Sequence, residues 1–558
     1  MMIAERLEKI RQEIEKTKGE IQTLNELRPG TLVNFSINKN NKSHGPYSMV
    51  VYSENGKKRS RHVHVEYQEK IQDQISNYKK LKSLIDNWIV LGIEYSQLEM
   101  QLNTKQGKKM NKQIETINDE RRVQLRKDKK YIHIMKYMGS KRALLPDIYN
   151  HVKKMIKPGD TVLDIFAGTC GVGSYLKHEY TIISNDIQNY SKTIANALIA
   201  SSNLNHKPNL ERLLIMISNH YQDNLNELET MFKNTLKKSN KFVGIKKDHW
   251  GEELRKEYVD FVDSFPSPSN KFSTKNRELK KMYEEYISRG EQGSTKFPYL
   301  QTCFLFSETY FSLRQCMQID SVRYAIDKVF EDEIEKDMFL SALLYAHSYC
   351  SSGTGHFAMF RDLVSVSSVR DVFLYRGRNV WDYFQSKIEE IINYNDFAKN
   401  TSHQAVSYDY KELLENENIM KKVNLVYADP PYSFVHYSRF YHATESLVKY
   451  DYGIPEFKGR YRTDRHQSPF CQQQNVEAAF CTLIERCAET KTHLLISYAD
   501  TGMIALQKIM ELLRNNTFNV ELSEINYDHS TMGRSGHKNN QIKEYLISAT
   551  LKKARLFQ

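Results

Sequence analysis

Val162-Leu163-Asp164-Ile165-Phe166-Ala167-Gly168-Thr169-Cys170-Gly171-Val172-Gly173 decides the fold of this chain. An apolar run ends on an acidic residue, passes through a Gly-rich turn and enters a helical stretch. Glycine serves such a turn because the backbone must bend tightly and approach a ligand with no Cβ in the way. The pattern is not G-x-G-x-x-G. An aspartate at the strand end repels a pyrophosphate but suits a ligand that presents an ammonium group.

Working outward, Tyr180 to Ser184 and Val423 to Ala428 are further apolar runs that read as buried parallel strands separated by helical segments, an α/β sheet. Asn185-Asp186 closes the second run about twenty residues after Asp164. There a doubly wound sheet places an acceptor for two ribose hydroxyls. Residues 202–400 are too long for a loop and are expected to form a domain of their own. Its first half is charged, with basic stretches at Lys233 to Lys247 and Lys271 to Lys281, and its second half, from Phe304 to Ala346, is apolar and helical.

Ahead of the sheet, Ile3, Leu7, Ile10, Ile14, Ile21 and Leu24 keep a four-three spacing with Thr17 in the missing seam position, a coiled-coil pattern. Pro29-Gly30 ends it. Thr31 to Val65 alternates like strands, with Asn55-Gly56 as a hairpin turn and Lys57, Lys58, Arg59 and Arg61 on the far arm. A second helical pattern runs through Tyr67, Ile71, Ile75, Tyr78, Leu81 and Ile85. The expected module is an antiparallel helical pair capped by a basic β-hairpin, which either grips DNA or joins two copies of the chain. The expected boundaries are 1–110 for this arm, 111–130 for a linker, 131–201 with 401–558 for the α/β domain and 202–400 for the insertion.

The chain has 558 residues, enough for two or three folding units, and 80 Lys and Arg against 68 Asp and Glu. The resulting net charge of +12 favours a polyanionic partner. Seven cysteines with no C-x-x-C pair point to neither a zinc site nor a disulfide framework. The apolar run from Trp88 to Ile93 is too short to span a bilayer, and Met1 to Arg6 lacks the apolar core of a signal peptide. A cytoplasmic, non-membrane protein is expected.

The D-x-F-x-G-x-x-G-x-G arrangement that starts at Asp164 resembles the first motif of S-adenosylmethionine-dependent methyltransferases. Lys136-Tyr137-Met138-Gly139-Ser140-Lys141-Arg142 resembles the aromatic-x-G-x-K motif of the Dam-like (D12 class) adenine-specific DNA methyltransferases, with Tyr137 where many members have Trp. Asn424-Leu425-Val426-Tyr427-Ala428-Asp429-Pro430-Pro431-Tyr432 ends an apolar strand in the Asp-Pro-Pro-Tyr of the same family. Segments at 311–324, 353–357, 441–445, 458–462 and 496–500 extend the resemblance over about Tyr131 to Ala554.

The resemblance implies a Rossmann-like methyltransferase domain with an inserted, mostly helical target-recognition domain and an N-terminal helical arm. It implies S-adenosylmethionine as cofactor and no metal. Tyr137, Lys141, Asp164, Phe166, Gly168, Asp186, Asp409 and Asp429 are the cofactor-binding candidates, and Asp429, Pro430, Pro431 and Tyr432 the catalytic ones. Asp409 reads equally as a helix N-cap ahead of Lys411-Glu412-Leu413-Leu414.

The amine of adenine is a poor nucleophile because its lone pair is delocalised into the ring. The Asp429 carboxylate and the Pro430 carbonyl would hold its two N–H bonds, and Tyr432 would stack on the extruded base. Direct transfer without a covalent enzyme intermediate is expected, and a cytosine-C5 enzyme is disfavoured because the chain contains no Pro-Cys dipeptide.

Arg439, His442, Arg460, Arg462, Arg465 and His466 read as a loop that grips phosphate or extrudes the base, and Gly-flanked His356 as a turn residue. The implied partners are duplex DNA and a cognate restriction endonuclease or other defence proteins, with a homodimer through the arm, in a bacterial, nucleoid-associated setting. An RNA adenine methyltransferase and a non-enzymatic DNA-binding scaffold that senses cofactor are the alternatives.

Overall fold

The computed structural model describes residues 3–39, 42–54, 57–85, 87–89, 91–92, 95, 131–243, 245, 250–265, 276–293, 295–361, 363–397, 402–431, 437–453, 461–527 and 542–552. The expected turn at Asn55-Gly56, the linker at 111–130, Tyr432 and Arg460 lie outside these residues. The chain divides into two compact units, residues 1–115 and 116–558.

In the first unit the helix Ile3–Gln22 buries Ile10 and Thr17, two positions of the apolar seam. A second helical stretch over 68–85 lies alongside: Arg28 N donates to Gln74 O at 3.1 Å, and Lys18 Nζ sits 5.5 Å from the Trp88 ring. Between them the expected hairpin is a three-stranded antiparallel sheet, β1 (Thr31–Lys39), β2 (Lys42–Glu54) and β3 (Lys57–Val63). The extra strand follows from the alternation in Thr31 to Asn34, which sets Leu32 opposite Val50 on the face that packs with Val63 and Ile75.

The second unit is built on a seven-stranded sheet in the order β6-β5-β4-β7-β8-β10-β9, comprising β4 (Thr161–Asp164), β5 (Thr181–Asn185), β6 (Gln404–Val406), β7 (Leu425–Ala428), β8 (His493–Ala499), β9 (Phe518–Tyr527) and β10 (Ile542–Leu551). β6, β5, β4, β7 and β8 are parallel, and β10 runs antiparallel between β8 and β9. Both faces are covered over β4, β5 and β7, which are buried along almost their whole length. Val162, Ile182, Leu425, Tyr427 and Leu495 enter one core, while Leu163, Ile183, Val426, Ala428 and Leu494 enter the other.

The insertion differs from the expected separate domain. Helices Leu210–Met231, Leu313–Val329, Glu333–Cys350 and Val380–Tyr394 send Ile217, Ile319, Phe339 and Ile388 into the same buried cluster as Val162 and Tyr427. A smaller aromatic cluster of Phe242, Tyr258, Phe261 and Phe373 stands beside it. Length alone does not separate an inserted domain from helices that thicken one layer of a sheet. Here the helices cover apolar strand residues that would otherwise face water, so both parts share one core.

Candidate functional site

From β4 the chain winds outward through β5 and β6, then returns to the other side of β4 as β7 and β8. The carboxyl ends of β4 and β7 therefore part at a switch point, where a doubly wound sheet opens a crevice. Asp164 is the last residue of β4, and Asp429 follows β7 directly. Tyr137, Lys141, Asp164, Phe166, Gly168, Asp186, Asp409, Asp429, Pro430 and Pro431 all line the pocket that opens there.

The Gly-rich turn is anchored to the next strand. Asp186 accepts from Gly168 N at 2.9 Å through one oxygen and from Gln188 N at 3.0 Å through the other. Each oxygen keeps a further lone pair. Burial pushes Asp186 up to about 6 against these bonds. Gly168 has φ +53°, and a Cβ there would meet the Tyr137 ring at 2.9 Å. The turn thus needs glycine both for its conformation and for the aromatic ring that covers it.

Asp164 is 1% exposed, and its Oδ1 has no hydrogen-bond partner among the described residues. Burial, then the charges of Asp429 and Asp186, push it up to about 8, while the Gly173 N–H opposes the shift. A buried carboxylate with a free oxygen calls for a cationic donor. The pocket is acidic within a chain of net charge +12. That contrast fits a small ligand bearing positive charge better than a phosphate.

Lys141 is enclosed between two carboxylates, 2.8 Å from Asp429 Oδ1 and 3.0 Å from Glu544 Oε1. Glu544 is fully buried on β10 and also accepts from Ser497 Oγ at 3.0 Å. Beyond Asp429, the Pro431 carbonyl accepts from the Cys471 thiol at 3.2 Å. No donor among the described residues reaches the Pro430 carbonyl. Asp429 and Pro430 thereby present two acceptors at the pocket.

Aromatic rings form the walls. Tyr137 stacks on Tyr441 at 4.8 Å and meets Tyr437 at 5.5 Å. Phe166 meets Phe470 at 5.2 Å and Tyr410 at 6.1 Å. Asp409 lines the pocket and also caps the helix Tyr410–Glu415, accepting from Lys411 N at 2.9 Å.

The basic loop does not act as one group. His442 is buried against the Phe357 carbonyl at 2.7 Å, and burial lowers it to about 4, so it is a neutral packing residue. Arg462 is held by Asp451 and Asp464. Arg439 and Arg465 lie 5.2 Å from the Tyr461 ring, and His466 lines the pocket. His356 accepts from Ala358 N at 3.2 Å, as a turn residue does.

Sequence reasoning missed Glu544, Cys471, Tyr437 and Asn185. Only Glu544 left a signal, an acidic residue next to Lys543 at the head of the apolar run Tyr545-Leu546-Ile547. Asn185 ties the pocket floor together, donating to Ile165 O at 3.1 Å and to Tyr408 O at 3.2 Å.

The family described as D12 class N6 adenine-specific DNA methyltransferase matches residues 137–307. The modification methylase LlaI of Lactococcus lactis subsp. lactis is 23% identical over 389 residues, 68% of this chain and 48% of that protein. The modification methylase StsI of Streptococcus sanguinis is 23% identical over 423 residues, covering 74% and 51%. The type II methyltransferase M.FokI of Planomicrobium okeanokoites is 22% identical over 392 residues, covering 68% and 47%. The chain spans about half the length of these curated relatives.

Proposed function

We propose, from the D12 class N6 adenine-specific DNA methyltransferase domain that this chain carries, that the protein methylates the N6 amine of an adenine extruded from duplex DNA. The observation that carries the proposal is the pair of acceptors at Asp429 and Pro430 beside the acidic pocket of Asp164. S-adenosylmethionine would supply the methyl group on a cationic sulfonium. Asp164 would accept from its ammonium group, Asp186 from the ribose hydroxyls and Asp409 from the adenine amine, between the walls of Tyr137 and Phe166.

Asp429 Oδ and Pro430 O would accept the two N–H bonds of the target amine and draw its lone pair out of the ring toward the methyl group. Lys141 keeps Asp429 in place, and the Asp429 carboxylate would take up the proton that the methylated nitrogen sheds. Positioning supplies much of the rate, because the methyl group arrives with its own leaving group. Tyr432 would stack on the extruded base.

The names of the three relatives support a restriction–modification setting with a cognate endonuclease. Within the insertion, the helices around the Phe242 and Phe373 cluster are the candidates for target recognition. The test is transfer of labelled methyl to duplex DNA, with N6-methyladenine recovered on digestion and with Asp429→Ala inactive while it still binds cofactor. Label recovered only on RNA or protein would overturn the proposal.

A further inference from the structure

We infer that Lys136, Arg361 and Arg378, gathered around the ring of Tyr375, form a binding site for a phosphodiester of the DNA backbone at the rim of the pocket. The inference rests on the reading of DNA as substrate and adds a place where the duplex is held.

The three cations come from separate parts of the chain. Lys136 precedes the pocket residue Tyr137, Arg361 lies in the loop between the helices Glu333–Cys350 and Val366–Arg376, and Arg378 follows the second of these helices. Lys136 Nζ lies 5.2 Å from the centre of the Tyr375 ring and 5.1 Å from that of Tyr349. The guanidinium groups of Arg361 and Arg378 lie 5.7 Å and 4.2 Å from the Tyr375 ring.

Ring faces repay part of the cost of gathering cations but leave their mutual repulsion. Burial, then the charges of Arg378 and Arg361, hold the Lys136 ammonium below the usual lysine range. Among the described residues, Asp371 pairs with Arg361 at 2.9 Å, and Asp382 opposes the effect of Arg378 and Lys136 on the Cys350 thiol. No ion pair to Lys136 or Arg378 occurs among them. Such a group is stabilised by an incoming anion, and guanidinium forks suit the oxygens of a phosphodiester.

Arg361 Nε donates to Ser352 O at 2.9 Å, which folds its loop back on itself. In the same loop Phe357 N donates to Phe440 O at 2.7 Å, and the His356 ring meets Phe440 at 4.6 Å. Phe440 ends the short helix Tyr437–Phe440, whose Tyr437 and Ser438 line the pocket. The cluster is therefore joined to the pocket by chain at Lys136 and by packing at Phe440. A duplex presenting a base at the pocket brings its flanking backbone to such a rim.

The test measures full-length protein binding a duplex of about 30 base pairs by fluorescence anisotropy over a range of salt, using a length that covers a site and its flanks. Lys136→Gln and Arg378→Gln should each weaken binding about fivefold and flatten the slope of log K against log salt by about one. Affinity for S-adenosylmethionine should stay at the wild-type value. Arg378 also donates to the Tyr349 carbonyl, so if Arg378→Gln fails to fold, Lys136→Gln carries the test. Unchanged affinity and slope in the variants overturn the site alone. Wild-type protein that binds no duplex overturns the site and the DNA reading together.

Discussion

Lys141 Nζ lies 2.8 Å from Asp429 Oδ1, and the two side chains are 6% and 18% exposed. Glu544 flanks the same ammonium at 3.0 Å. Breaking a buried pair by removing one partner costs about 3–5 kcal/mol, because the other charge is left uncompensated. Lys141→Met should therefore lower the unfolding free energy, read from urea denaturation, by about that amount and abolish methyl transfer. Asp429 and Glu544 would then be enclosed without their cation, which favours the neutral form of each. Stability linked to groups shifted in this way is present at low pH and lost as pH rises. The gap to wild type should narrow on acidification, and a gap independent of pH would contradict the pairing.

Glu544→Gln keeps the volume and the acceptor for Ser497 while removing a charge. Lys141 retains Asp429, so the expected stability loss is about 1–3 kcal/mol, below that of Lys141→Met. Glu544 acts through Lys141 as a positioning residue, which predicts a lower kcat with an unchanged KM for DNA. Steady-state kinetics with a thermal melt check both. An unchanged kcat would reduce Glu544 to a packing role.

Asp164, pushed up to about 8 by burial and by the charge of Asp429, is mostly protonated in the free protein at neutral pH. Its folded value lies above its unfolded one, so its contribution to stability is present at acid pH and lost as pH rises through about 8. Accepting from an ammonium group requires the carboxylate. Cofactor affinity should rise as pH climbs from about 6 toward about 8, and calorimetry in buffers of different ionisation enthalpy should detect proton release at about pH 7. Asp164→Asn should stabilise the free protein, weaken cofactor binding and remove that proton release, which separates it from any proton of the ligand. A flat affinity profile in wild type would overturn the role.

Gly168→Ala places a Cβ 2.9 Å from the Tyr137 ring at a backbone φ of +53°. The left-handed conformation costs an L-residue about 1–2 kcal/mol, and the ring must also move. The expected result is a KM for cofactor raised about tenfold or more, equivalent to roughly 1.4 kcal/mol. Because the clash is with Tyr137, the double variant Gly168→Ala/Tyr137→Ala should lose less than the sum of the single losses. Strict additivity in the cofactor KM would count against this contact.

Where the site was legible, the signal was local. Asp164, Gly168 and Asp186 announce themselves because a strand, a tight turn and a second strand follow one another within a short stretch. Asp429 was legible from the motif at the end of an apolar run. Glu544 and Cys471 were not, because their partners Lys141 and Pro431 are brought to them by sheet order and by a loop return. Asp409 resisted a single reading because it performs both tasks, capping a helix while facing the pocket. Arg462 and His442 looked like members of a basic loop, yet Asp451 and the Phe357 carbonyl had already claimed them. Charge in a sequence says nothing of its partners.

The helices of the insertion are tied to the segment after β7 by more than apolar packing. Asp320 accepts from Tyr450 Oη at 2.7 Å, Gln301 Nε2 donates to Ser446 O at 2.7 Å and Arg323 Nε donates to Leu447 O at 3.2 Å. A segment so wired cannot be exchanged between proteins as a cassette. If the insertion reads the target as proposed, new specificity would have to arise by substitution on the outer surface of helices whose inner surfaces are already committed to the shared core.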